Sequence, residues 1–311
     1  MYFPYLRGRQ FELIALRELA EGDHINEKVI PIIEPIKPSS TLLKTLQAFV
    51  ENDKEIAVVF NPTVGAFSKE IKEMRAEDSK VANELYELLL NNNKIIKSYV
   101  MSKARSKRLK TDVNKEKYMI INLTRDSLDD FLEVYDGSLP RYTLIPDDRA
   151  FRRIIPDTKI LFEDNFNKQA RNIDYLEKPD EFFSDTHLFF QNESYVGFSD
   201  YSVVGEEFNE SGFAPVAVAI HIVYFGDKKE MRIHHFVSDS NDGIEDPGGK
   251  FGEALEKLVY WCDENNVKST LGLQGFYDCY NSGKYPGLGT VKKLSIMHHL
   301  ELVSDFLGGE L

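Results

Sequence analysis

The sequence predicts a parallel α/β fold: a (β/α)8, TIM-like barrel or a distorted relative, carrying a C-terminal antiparallel hairpin as an elaboration. Three observations lead there. Short β-rich runs recur up to about residue 190, each followed by a polar or helical stretch, the order that a parallel sheet imposes. Most of these runs are continuously apolar rather than alternating, as expected of strands covered on both faces. Eight or more of them in 311 residues suit a barrel better than an open sheet. The preferred reading takes residues 1–311 as one barrel domain; the alternative is a parallel α/β domain over 1–180 followed by an α+β domain over 181–311.

Taken in order, the expected strands are Tyr2–Leu6, Lys28–Ile33, Glu55–Phe60, Ile95–Val100, Lys117–Ile121, Arg141–Ile145, Lys159–Phe162 and Thr186–Phe190. Between them, Ser39 and Ser40 are candidate helix caps, because Leu42, Leu43, Leu46, Phe49 and Val50 then recur at helical spacing. Ser68–Leu90 carries one long helical pattern and Asp126–Val134 a shorter one. Past residue 190 the pattern changes. Val216–Phe225 and Met231–Val237 flank a short Gly226–Lys229 connection, which predicts an antiparallel hairpin. Helical stretches follow at Gly252–Glu264 and at Thr290–Leu307, the latter with Thr290 as its expected cap.

The formal charge of −13, from 38 Lys+Arg against 51 Asp+Glu, excludes a protein whose whole surface is built to hold polyanions. No apolar stretch approaches the roughly 18 to 20 residues of a membrane helix, so no membrane association is expected. Arg7, Arg9 and Glu12 interrupt the N-terminal run before a signal segment can form, which predicts a cytoplasmic chain. Cys262 and Cys279 lack metal or redox spacing and are expected to be reduced thiols.

Active sites of parallel barrels lie where the strands end, so the residues after each run are the candidates. Glu34, Asp147 and Glu163 follow strands, and Asp200 lies downstream; together they are the candidate ligands of a magnesium or manganese ion. His221, in the hairpin, joins them as a catalytic candidate, while Arg7 and Asn61 are candidate binding residues. The Asp, Asn and Glu residues among them have a plainer reading as turn formers or caps, and Glu34 and Asn61 both precede a proline. The neighbours His234–His235 and His298–His299 lack chelating spacing. Lys103, Arg105, Lys107 and Arg108 form a basic cluster that either contacts nucleic acid or nucleotide phosphates or is a solvated helix face.

Several of these positions carry a family resemblance. Tyr2, Pro4, Leu6, Arg7, Arg9 and Glu12 with Ala15–Leu16, then Ile30–Pro31–Ile32–Ile33–Glu34–Pro35, resemble the beta-protein family, named after a satellite-phage protein. Ser199–Asp200–Tyr201 and His298–His299–Leu300 resemble that family's later motifs. The likeness runs end to end and is greatest to an uncharacterised bacterial branch. It implies a component of a bacterial or prophage anti-phage defence module, modulating a toxic or nuclease-like protein encoded by a neighbouring gene. It brings no catalytic residues with it. Two classes therefore stand: a binding component of such a module, and a metal-dependent phosphoester hydrolase acting on nucleotide or nucleic acid.

Overall fold

The computed structural model describes residues 1–209 and 216–311. In chain order its elements begin β1 (Tyr5–Leu6), α1 (Gln10–Glu21), β2 (Ile32–Ile33), α2 (Ser40–Glu51), β3 (Ile56–Val59), α3 (Phe67–Ala76), α4 (Lys80–Asn91) and β4 (Ile95–Val100). They continue with α5 (Lys103–Leu109), β5 (Met119–Ile121), α6 (Ser127–Val134), β6 (Tyr142–Ile145), α7 (Arg149–Ile154), β7 (Lys159–Glu163), β8 (Asp180–Ser184), α8 (Thr186–Phe189) and β9 (Gly197–Asp200). Last come β10 (Ala219–Phe225), β11 (Met231–Val237), α9 (Pro247–Asn265), α10 (Leu271–Ser282) and α11 (Leu288–Gly308). They fall into two compact units, Met1–Glu163 with Thr186–Asp200, and Asp164–Asp185 with Tyr201–Leu311.

The first unit is the barrel. Eight parallel strands run in the order β1-β2-β3-β4-β5-β6-β7-β9. Tyr2 bridges to both Val29 and Phe198, so the first strand meets the last. The Phe3 amide donates to the Phe198 carbonyl at 2.9 Å, and the Phe198 amide to the Met1 carbonyl at 3.0 Å. Side chains at matched positions of parallel strands share a face. The register that pairs Tyr5 with Ile32, Ile32 with Ala57 and Ser98 with Met119 can therefore be followed round to Phe162 and Ser199. That face is the interior. Tyr5 stacks on Phe162 at 5.3 Å and Phe3 meets Tyr142 edge-on at 5.0 Å, contacts between non-adjacent strands that only a closed interior permits. Tyr2, Leu6, Glu163, Phe198 and Asp200 lie in the opposite register, on the outer face.

Where helices were expected the local physics is visible. Ser39 caps α2 by accepting from the Leu42 amide at 3.1 Å, and Leu42, Leu46 and Phe49 are buried. The stretch Ser68–Leu90 is two helices rather than one, because Asp78 adopts a left-handed conformation (φ +57°) between α3 and α4. Thr186–Phe190 is not the eighth strand. It begins as the short helix α8, and Gly197–Asp200 closes the barrel instead. Glycine is needed there: a Cβ on Gly197 would lie 2.5 Å from the Met1 carbonyl oxygen and 2.7 Å from the Phe3 ring. Thr290 does not cap the final helix; Gly287, at φ +87°, occupies that position.

The second unit holds an antiparallel sheet in the order β10-β11-β8. The expected hairpin is present, turning at Gly226–Glu230 with Lys229 at φ +64°. Neither β8 nor α10 was apparent from apolar periodicity. Helices α10 and α11 approach closely at Gly272, where a Cβ would collide with the Leu294 carbonyl and the His298 amide. No helix among the described residues is long and apolar enough to cross a membrane.

His298, fully buried on α11, has its protonation fixed by this packing. Its Nε2 lies 2.8 Å from the Val223 carbonyl and must donate, so Nδ1 accepts from the Thr270 hydroxyl at 2.7 Å. Burial pushes its pKa down to about 4. The unfolded chain, with an ordinary histidine, takes up its proton first as pH falls. Stability from this group is thus complete above pH about 6.5 and lost between there and about 4, by up to about 3 kcal/mol. Urea denaturation at pH 7.5 and 4.5 should show a larger loss in the wild type than in His298→Asn; equal losses would refute the assignment.

Candidate functional site

At the strand ends of the barrel, the residues following β1 and β2 form one buried network. Glu34 is fully buried, and Arg7 nearly so. The Arg7 guanidinium donates to Glu34 Oε2, which also accepts from the Tyr5 hydroxyl at 2.8 Å. The other oxygen, Oε1, accepts from the Thr63 amide at 2.5 Å and the Thr63 hydroxyl at 2.7 Å. One carboxylate therefore ties the ends of β1 and β2 to the segment after β3. Asn61 belongs to the same region but works as a ladder rung. Its side chain donates to the Val100 carbonyl at 2.9 Å and accepts from the Val100 amide at 3.0 Å, extending the β3–β4 pairing.

The other carboxylates do not join Glu34. Asp200 is fully buried on the outer face, where its Oδ1 accepts from the Tyr2 hydroxyl at 2.7 Å. Burial, reinforced by Asp200, raises the Tyr2 phenol well above its ordinary pKa and keeps it a donor. Glu163 stands beside Asp200 in register and accepts from the Thr186 hydroxyl at 3.0 Å. Asp147 is about half exposed and pairs with Arg152 on α7, whose N-cap is the neighbouring Asp148. The expected metal set of Glu34, Asp147, Glu163 and Asp200 is thus split between opposite faces of the barrel wall and the surface. Among the described residues no group of three or more His, Cys, Asp or Glu side chains is arranged to hold a metal ion.

His221 lies in the second unit and pairs with another histidine. Its Nδ1 is 2.7 Å from Nδ1 of His235, whose Nε2 is 3.3 Å from Glu181 Oε1. With Nε2–H directed at Glu181, His235 accepts at Nδ1 and His221 donates. Burial and mutual repulsion hold the His221 pKa well below its usual value, and burial lowers that of His235. Tyr175 packs its ring against both, at 4.7 and 4.5 Å. The adjacent His299 is buried as well, with Ser202 Oγ 2.9 Å from its Nδ1.

The basic cluster divides on α5. Lys103 and Lys107 lie outside a pocket of about 270 Å³ that the half-buried Arg105 and the exposed Arg108 line with Asn61 and the exposed Lys72 and Arg75 of α3. The helical pattern of Ser68–Leu90 rests on its apolar positions and does not single out the two α3 cations. Their i, i+3 spacing, repeated by Arg105 and Arg108, was the available signal. The chain matches no known family model, and no curated protein or solved structure gives a significant match to it.

Proposed function

We propose that this chain acts by binding, as a component of a bacterial or prophage anti-phage defence module that modulates a nuclease-like partner encoded beside it. The observation favouring binding over metal-assisted hydrolysis is the arrangement of the carboxylates. Glu34, Asp147, Glu163 and Asp200 each accept from a donor in the chain, and Glu34 and Asp200 face opposite sides of the barrel wall. A hard cation needs several oxygens converging on one point. The defence role itself follows from the resemblance of the Tyr2–Glu12, Ile30–Pro35 and Ser199–Tyr201 segments to the beta-protein family.

Co-expression with the neighbouring gene product is the test. The two proteins should co-elute from a sizing column, and the presence of this chain should change the partner's toxicity to cells. Separate elution together with unchanged toxicity would overturn the proposal. Thermal denaturation with magnesium, manganese or chelator should give one midpoint. A metal-dependent rise abolished by Glu34→Gln or Asp200→Asn would favour the hydrolase.

A further inference from the structure

We propose that the pocket enclosed by β3, α3, α4 and α5 binds a nucleoside phosphate. Lys72, Arg75, Arg105 and Arg108 would hold the phosphate while the apolar floor receives the base. The four cations come from two helices, each supplying a pair at i, i+3, and both pairs line the same space. Like charges at that spacing repel one another. Among the described residues none of the four has a carboxylate within ion-pair distance, although the chain carries 13 more acids than bases.

Two of the guanidiniums are also held in place. Arg75 lies over the Tyr86 ring at 3.5 Å from its centroid, and Arg105 over the Tyr99 ring at 4.5 Å. Arg105 is half-buried, and burial with the nearby Arg108 charge disfavours its protonated form. Guanidiniums oriented on aromatic rings, with no acid of their own, are suited to bidentate contact with an external oxyanion. A single carboxylate would offset one of the four charges; a phosphate dianion with its several oxygens offsets more.

Most of the remaining lining is apolar: Val58, Phe67, Ile71 and Leu89, with the Phe60 and Tyr86 rings. Free phosphate gains nothing from such a surface, whereas a nucleobase does. At about 270 Å³ the space suits one nucleotide unit and not a run of polymer. This reading is independent of the partner-binding function proposed above.

Calorimetric titration of the full chain with AMP, GMP, CMP and UMP, with the four nucleosides, with inorganic phosphate and with a 5′-phosphorylated oligonucleotide tests it. At least one mononucleotide should bind, its nucleoside and inorganic phosphate at least tenfold more weakly. Arg75→Gln with Arg105→Gln should weaken that binding at least tenfold in a protein with wild-type circular dichroism. Lys103→Gln with Lys107→Gln should leave it within about twofold. Failure of every mononucleotide at millimolar concentration would overturn the proposal. So would indifference to the Arg75/Arg105 change, or binding by inorganic phosphate equal to that of the nucleotides. If the oligonucleotide alone binds, the site is a polymer contact and the free-nucleotide assignment falls; oligonucleotide binding no tighter than the mononucleotide's supports it.

Discussion

Deleting Met1–Leu6 should abolish the folded barrel. Tyr2, Phe3, Tyr5 and Leu6 are buried, and the segment pairs on both sides. The Tyr2 amide donates to Lys28, the Ile30 amide to Tyr2, the Ile32 amide to Pro4 and the Glu34 amide to Leu6, all within 2.9 Å. On the other side Phe3 and Met1 pair with Phe198. Loss of one buried aromatic costs about 3–5 kcal/mol, and three such losses reach or exceed the about 5–15 kcal/mol that stabilises a typical domain. The deletion also leaves two sheet edges, at β2 and β9, with unmade backbone hydrogen bonds. Circular dichroism and sizing chromatography of the truncated chain should report unfolded or aggregated protein. A monodisperse product with native ellipticity would show that β1 does not close the barrel. Gly197→Val supplies a graded version, because its side chain enters the space of the Met1 carbonyl and the Phe3 ring. It should lower the urea midpoint and leave the fold recognisable.

The same segments explain why the barrel was legible in the sequence while the site was only partly so. Strands β3, β5 and β7 announce themselves as apolar runs because both of their faces are covered, and β4, with Lys97 and Tyr99 half-buried on one face, still matches its predicted run Ile95–Val100 end to end. The closing strand does not. Gly-Phe-Ser-Asp owes its place to a glycine that admits Phe3 and to a Ser199 hydroxyl that donates to the Phe3 carbonyl at 2.6 Å. Neither feature contributes hydrophobicity, so the more apolar Thr186–Phe190 is the run that hydrophobicity predicts as a strand. For the carboxylates, position after a strand could be read, but the face could not. Glu34 and Asp200 both end strands, and one residue of register decides which side of the wall each occupies. The pocket cations needed the fold outright, since Lys72 and Arg108 become neighbours only when α3 and α5 flank β3 and β4.

Replacing Glu34 should produce the largest single-residue loss of stability among the candidate site residues. In Glu34→Ala the Arg7 guanidinium, the Tyr5 hydroxyl and both Thr63 donors lose their shared acceptor at a position closed to water. Removing one partner of a buried ion pair costs about 3–5 kcal/mol, because the remaining charge keeps its desolvation without its counter-charge. Glu34→Gln keeps an acceptor oxygen and should cost less than the alanine change. A double-mutant cycle of Glu34→Gln with Arg7→Met should return a coupling of about 1–3 kcal/mol, as expected for residues in direct contact. The Asp147–Arg152 pair is the internal control. Both of its side chains are more than a third exposed, so Asp147→Asn should cost less than about 1 kcal/mol, and that cost should shrink with added salt. Urea denaturation at about 0.1 M and 1 M sodium chloride separates the two cases, since buried pairs are screened far less than exposed ones. Equal salt sensitivity of the Glu34 and Asp147 effects would mean that Arg7 and Glu34 meet in water, and the barrel mouth would then have to be read as open.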